Sequence, residues 1–256
     1  MSVNLIRLTI NECKLQFYEM TQYWVETVFG LLFFSGIFLA LFFGIKIFIP
    51  EGDNAVSLDG LMMGYVMFIF CSGAYNAVPE TFSQYTQKGF LEQLYMTPAG
   101  FTWYLIARVL ATLFVSMVST ILLAYFAMAV TGNWISLNFM ILMPLLFLAA
   151  PSIIGIGLII GGMTLVYKRI GIVASLGMLA VIALVSVPAL PFGAASLLPL
   201  APGAHLARLV VLEQQGLQLT HFLIVVLNSA FYLALGIVIF KKFERMAKKK
   251  NLIGQY

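Results

Sequence analysis

The chain has 256 residues, of which 62% are hydrophobic and only 9% charged, with a formal net charge of +4. A soluble globular chain carries about 45–50% apolar and about 25% charged residues, so 24 charged side chains are too few to cover a water-facing surface of this size. Six of the 14 basic residues fall in the last sixteen positions, behind a hydrophobic span; that is the pattern of a membrane flank, and it argues against a nucleic-acid partner.

From Val3 to Met20 the positions Val3, Ile6, Ile10, Cys13, Phe17 and Met20 step by three and four, one apolar stripe of a helix. Asn4, Arg7, Asn11 and Lys14 make a neighbouring polar stripe. The segment is too polar to span a bilayer and reads as an interfacial helix. Arg7, Glu12, Lys14 and Glu19 interrupt it, so it is not a cleaved signal peptide. Cys13 and Cys71 read as packing thiols.

Crossing about 30 Å of hydrocarbon takes about 20 apolar residues in a helix, which satisfies its own backbone polar groups. Six stretches qualify: Val25 to Ile49, Gly60 to Thr81, Trp103 to Val130, Phe139 to Tyr167, Ile170 to Leu190, and Phe222 to Phe240. The expected fold class is therefore an all-α polytopic membrane protein with six transmembrane helices. With an even number of crossings both ends share one side. Twelve basic residues fall there (Arg7, Lys14, Lys88, Arg108, Lys168, Arg169, Lys241, Lys242, Arg245, Lys248, Lys249 and Lys250), against Lys46 and Arg208 on the other. The crowded side is expected to be cytoplasmic, which makes the topology N-in and C-in. Small residues recur every fourth position at Gly36, Ala40 and Gly44, at Gly60 and Gly64, and at Gly157 and Gly161. Such ladders serve packing within the chain or against a second subunit.

Between the second and third spans runs Gln84-Tyr85-Thr86-Gln87-Lys88-Gly89-Phe90-Leu91-Glu92-Gln93-Leu94-Tyr95-Met96-Thr97-Pro98. At helical spacing Phe90, Leu91, Leu94 and Tyr95 share one face and Lys88 and Glu92 the other, and Pro98 helps to end the helix. Such a helix either rests at the interface or offers a knob to a cytoplasmic partner, and the residues leave both open. Pro188 to Thr220 is apolar, cut by Pro191, Pro199, Pro202 and Gly203, and reads as two short helices dipping back from the outer face; a cap on that face is the other reading. The whole divides as one transmembrane domain: an interfacial helix over 1–23, spans one and two over 24–81, a cytoplasmic helix over 82–100, spans three to five over 101–190, an outer re-entrant segment over 191–220, the sixth span over 221–240 and a basic cytoplasmic tail over 241–256.

Within the six stretches Asp, Glu and His are absent away from the ends; Glu26, Lys46, Glu80 and Arg108 sit near boundaries. Ion-coupled carriers keep a polar relay at mid-membrane, and channels want a polar filter, so neither is expected. His205 and His221 stand in or beside the outer segment as interfacial residues, without metalloprotease spacing, and no metal site or catalytic residue is expected. A Gly-x-x-x-x-Gly-Lys-Ser/Thr phosphate loop is absent too, so an ATP-driven process needs its nucleotide site on another chain.

Taken together, the interfacial helix, the six spans, Lys88-Gly89-Phe90-Leu91-Glu92-Gln93-Leu94-Tyr95-Met96-Thr97-Pro98 and Leu198-Pro199-Leu200-Ala201-Pro202 resemble the permease subunits of type-2 ABC exporters over nearly the whole chain. The resemblance implies that Lys88, Phe90, Leu91, Glu92, Leu94 and Tyr95 face an ATPase subunit as a coupling helix. It also implies a second copy of the permease, with the substrate path at their interface. ATP and Mg would belong to the partner, with no cofactor on this chain, in a prokaryotic plasma or inner membrane. An apolar or amphipathic cargo would leave through a cleft lined partly by spans one, two and five, with Phe33, Tyr65, Phe68 and Tyr75 as candidates for the substrate path. Leu91-Glu92-Gln93-Leu94 and Lys168-Arg169 also resemble the haem-exporter permeases of cytochrome c maturation. Outside transport, the alternative is a membrane scaffold or sensor.

Overall fold

The computed structural model describes residues 5–48, 54–87, 101–132, 134–135, 137–167 and 170–249. The described residues are all-helical, without strands: α1 (Leu5–Gln22), α2 (Trp24–Phe48), α3 (Asn54–Asn76), α4 (Pro79–Gln87), α5 (Phe101–Thr131), α6 (Phe139–Val166), α7 (Gly171–Ser186), a 3-10 turn (Ala194–Leu197), α8 (Ala201–Val211) and α9 (Leu219–Lys249). Helices α2, α3, α5, α6 and α9 are long and apolar enough to cross a membrane, and the chain is a multi-pass membrane protein. The helices alternate in direction, so the ends of α3, α6 and α9 gather with α1, α4 and the start of α5 at one end of the bundle. The 3-10 turn and α8 lie at the other.

Several boundaries differ from those expected. The second span ends at Asn76 rather than Thr81, because Pro79 lacks a backbone N–H and disfavours helix in the residue before it; α4 then starts afresh as a separate amphipathic helix. The helix of the expected fifth span is only 16 residues long, Gly171–Ser186, and gives way to extended backbone at Val187. In place of two short helices between Pro188 and Thr220 there is one 3-10 turn and one α-helix. Residues 241–249 of the basic tail continue α9 as helix, where Glu244 and Lys248 pair at 2.7 Å one turn apart.

The core is built on α6, which packs most extensively against α9 and also against α3, α4 and α8. Glycines permit this. A Cβ at Gly155 would stand 2.1 Å from the Tyr232 carbonyl oxygen, and one at Gly236 would stand 2.3 Å from the Gly155 carbonyl oxygen, so α6 and α9 cross backbone to backbone. A Cβ at Gly157 would fall 2.6 Å from the Tyr75 carbonyl oxygen, and one at Gly161 2.6 Å from Val78. That ladder is therefore intramolecular. Gly36, Gly44, Gly60 and Gly64 have no such neighbour within 4 Å, which leaves their faces open.

Irregular backbone at the far end is stitched down by side chains, as a low-dielectric setting requires. Asn228 on α9 donates to the carbonyls of Ser196 and Leu198, both at 3.0 Å, and the Tyr232 hydroxyl donates to Leu197 at 2.6 Å. Ser229 donates to the Leu148 carbonyl, three residues before Pro151 inside α6. Buried Leu200 takes a left-handed φ of 66°, and its N–H donates to the Ser152 hydroxyl. The Leu190 N–H donates to His205 Nδ1 at 3.0 Å, so the imidazole must be neutral there.

Two predictions follow from this packing. Gly155→Ala is expected to cost about 1–3 kcal/mol or more, because both clashing partners are backbone. Gly36→Ala meets nothing within 4 Å in the single chain and is expected to change the stability of the monomer by no more than about 1 kcal/mol; thermal melts of the detergent-purified monomer rank them. Burial and Arg208 hold His205 below its ordinary value of 6.5. The folded chain thus binds fewer protons than the unfolded one, so this stabilisation is complete above about pH 6.5 and is lost as pH falls toward the lower folded value. Melts from pH 7.5 to 5 should fall more steeply for the wild type than for His205→Gln, which keeps an acceptor but does not titrate.

Candidate functional site

The apolar stripe of α1 does not face the bundle. Ile6 is 72% and Phe17 69% exposed, whereas Glu12 and Gln16 are the buried residues of this helix. Glu12, Gln16 and Glu19 recur at i, i+4 and i+7, one polar face, and that face meets α5. There Arg108, two turns into an apolar span and 7% exposed, sends Nη1 to Glu12 at 3.4 Å and Nη2 to Glu19 at 3.3 Å. Gln16 donates to the Thr112 hydroxyl at 2.9 Å, and Thr112 donates in turn to the Arg108 carbonyl. Arg108 is therefore no snorkelling boundary residue; it is the centre of a buried ionic joint.

Two tyrosines extend the joint toward residues 88–100. Tyr85 closes α4, Tyr104 opens α5, and their hydroxyls are hydrogen-bonded to each other with the rings edge to face. Tyr104 then donates to Glu12 at 3.2 Å. Burial pushes the Glu12 carboxyl up from the ordinary carboxylate range, while Arg108 and Tyr104 pull it down. The two chain ends that enter and leave 88–100 are thus bonded to one another and to α1.

Beside the joint a cleft of about 600 Å³ opens between α1, α2, α3, α4 and α5. Glu19, Glu26, Glu80 and Arg108 line one end of it; Phe34, Ile69 and Leu123 line the other, with Thr112, Val115 and Ser119 between. At 1.5 Å per residue, Arg108 to Leu123 covers about 22 Å along α5 and Glu26 to Phe34 about 12 Å along α2, so polarity falls along the length of the groove. In the sequence Glu26, Glu80 and Arg108 stand apart near span boundaries, but the fold gathers them on one wall. Glu80 accepts from Gln84 at 3.1 Å. Among the described residues no three His, Cys, Asp or Glu side chains converge to hold a metal ion.

Compared with known proteins, the chain matches no family model, no curated protein and no solved structure.

The expected coupling residues Lys88, Phe90, Leu91, Glu92, Leu94 and Tyr95 lie outside the described residues. None of the four expected substrate-path residues lines this cleft. Phe33 is 65% exposed and packs edge-on against Phe34 at 5.8 Å; Phe68 is half-buried, 6.4 Å from the same ring. Tyr65 is buried and stacked on Phe38 at 4.2 Å. Tyr75 is wholly buried and donates to the Ala174 carbonyl at 2.9 Å, strapping α3 to α7 across Gly177, where a Cβ would strike its hydroxyl at 2.1 Å. Phe34, which touches both Phe33 and Phe68, lines the cleft. The missed residues had a legible signal: an arginine inside an apolar run needs partners, and Glu12, Gln16 and Glu19 on α1 are spaced to supply them.

Arg108→Leu is expected to cost about 3–5 kcal/mol, since it strands a buried carboxylate at Glu12. Adding Glu12→Leu should restore most of that, because an apolar pair replaces a buried ion pair at little net cost. Apparent melting temperatures of the two variants in detergent check this, and equal losses would contradict it.

Proposed function

We propose that the chain is the transmembrane permease subunit of an ATP-driven ABC exporter, powered by a separate ATPase subunit. Six crossings carry it, N-in and C-in. The fifth in chain order is α7 extended by residues 187–190, since 16 helical residues cover about 24 Å and fall short of about 30 Å of hydrocarbon. Eight described basic residues, Arg7, Lys14, Arg108, Lys241, Lys242, Arg245, Lys248 and Lys249, stand on elements of the α1 end, which supports a cytoplasmic side there.

The observation that carries the reading is the bonded pair Tyr85 and Tyr104, which bracket residues 88–100 and continue through Glu12 to Arg108. A partner that pushes on Phe90, Leu91, Leu94 or Tyr95 pushes on chain ends already joined to α1 and α5. Its closure is thereby passed to spans two and three. Nucleotide bound to the partner then biases a two-state bundle, which is all that coupled transport requires. The open faces at Gly36, Gly44, Gly60 and Gly64 suit a second copy of the permease, with close approach of backbones across the interface.

The test is association and hydrolysis. The tagged chain, purified in mild detergent from its own cells, is expected to bring a P-loop ATPase whose activity stays with it on gel filtration. Leu91→Asp with Leu94→Asp should remove that ATPase while leaving the chain's melting temperature unchanged. An ATPase that stays bound to the double variant would sink the assignment.

A further inference from the structure

We propose that the cleft between α1, α2, α3, α4 and α5 binds a single-chain cationic amphiphile, its charged head at the Glu26 and Glu80 end and its tail along Phe34, Ile69 and Leu123. The inference rests on the permease reading and names the class of its cargo.

A volume of about 600 Å³ is that of a small-molecule site. The polarity of the walls fixes how an occupant must lie. Glu26 opens α2, Glu80 opens α4, and both stand at the α1 end of the bundle; Phe34, Ile69 and Leu123 stand two to four turns further along their helices. An apolar molecule would leave the acids unused, and a small hydrophilic cation would leave the apolar wall dry and unfilled.

Charge decides the sign of the head. Arg108 is the basic residue of this wall, and its two terminal nitrogens are committed to Glu12 and Glu19. Among the described residues Glu26 and Glu80 make no ion pair, and Glu80 accepts from the Gln84 amide. Two carboxylates facing one groove repel an anionic head and attract a cationic one. A zwitterionic membrane lipid has a cationic group but brings a phosphate toward the same carboxylates, so it is the weaker fit.

The test uses the full-length chain alone in phosphatidylcholine nanodiscs, with empty discs subtracted. Radiolabelled dodecyltrimethylammonium, dodecylphosphocholine and dodecyl sulfate share one tail and differ only in head. Saturable binding of the first, at least about tenfold tighter than of the other two, is expected. Glu26→Gln with Glu80→Gln should weaken that binding about tenfold, whereas Glu26→Asp with Glu80→Asp should stay within about threefold. All variants are first shown to melt like the wild type. Equal binding of the three amphiphiles would mark a groove that merely takes lipid tails, and unchanged binding by the Gln variant would remove the carboxylates from the site; either result overturns the proposal. No ATPase takes part, so failure here leaves the permease reading standing, and loss of ATPase association leaves this binding untouched.

Discussion

A guanidinium held out of water among hydrocarbon side chains is tolerable only when its charge is answered, and Arg108 fixes the geometry of one end of this molecule for that reason. Its answers come from Glu12 and Glu19, so α1 must lie with its polar face on α5 and its apolar stripe turned outward. A helix so placed leaves Ile6 and Phe17 exposed on its outer side. Tyr104 joins the same carboxylate and brings Tyr85 with it. One buried charge thereby orders α1, the end of α4 and the start of α5, and sets the wall along which the cleft opens.

The rest of the bundle is held by close approach rather than by charge. Where lipid is as apolar as the helix surfaces, hydrophobic force cannot drive helices together, and van der Waals contact must. Gly155 against Gly236 and Gly157 against Tyr75 bring α6 within backbone distance of α9 and α3. The far end solves a different problem. Backbone that leaves helical geometry between Val187 and Leu200 has its carbonyls answered by Asn228, Tyr232 and Ser196, so α8 can pack deeply with Ala201, Ala204 and Ala207 buried.

How much of this could be read beforehand follows from which forces are local. Membrane helices are legible because hydrocarbon demands continuous apolar runs: α2, α5 and α6 fall within two residues of their expected bounds, whereas α3 is displaced by five to six residues and α9 runs nine residues beyond Phe240. The break at Pro79 was legible in principle from the proline alone. Which face of α1 turns inward was not, because amphipathic periodicity locates a stripe without saying whether protein or lipid covers it. Here the polar face won, since only protein can neutralise Glu12. The cleft was equally hidden: Glu26, Glu80 and Arg108 are far apart in sequence, and only the antiparallel return of α3 into α4 brings Glu80 opposite Glu26. The aromatic residues expected in a substrate path were chosen for type and span. Of these, Tyr75 is wholly buried, with its hydroxyl bonded to the Ala174 carbonyl.

If the joint at Arg108 passes a partner's motion into the bundle, α1 should move when that partner changes state. Pulsed electron resonance between spin labels at Lys14 on the two copies of the proposed permease dimer reads this directly, in its proposed complex with an ATPase and with Cys13 and Cys71 replaced by serine. A shift in the Lys14 to Lys14 distance on trapping ATP, lost when Arg108 is leucine, is the result expected. A distance that ignores nucleotide, or that shifts equally with Arg108 replaced, would contradict the account.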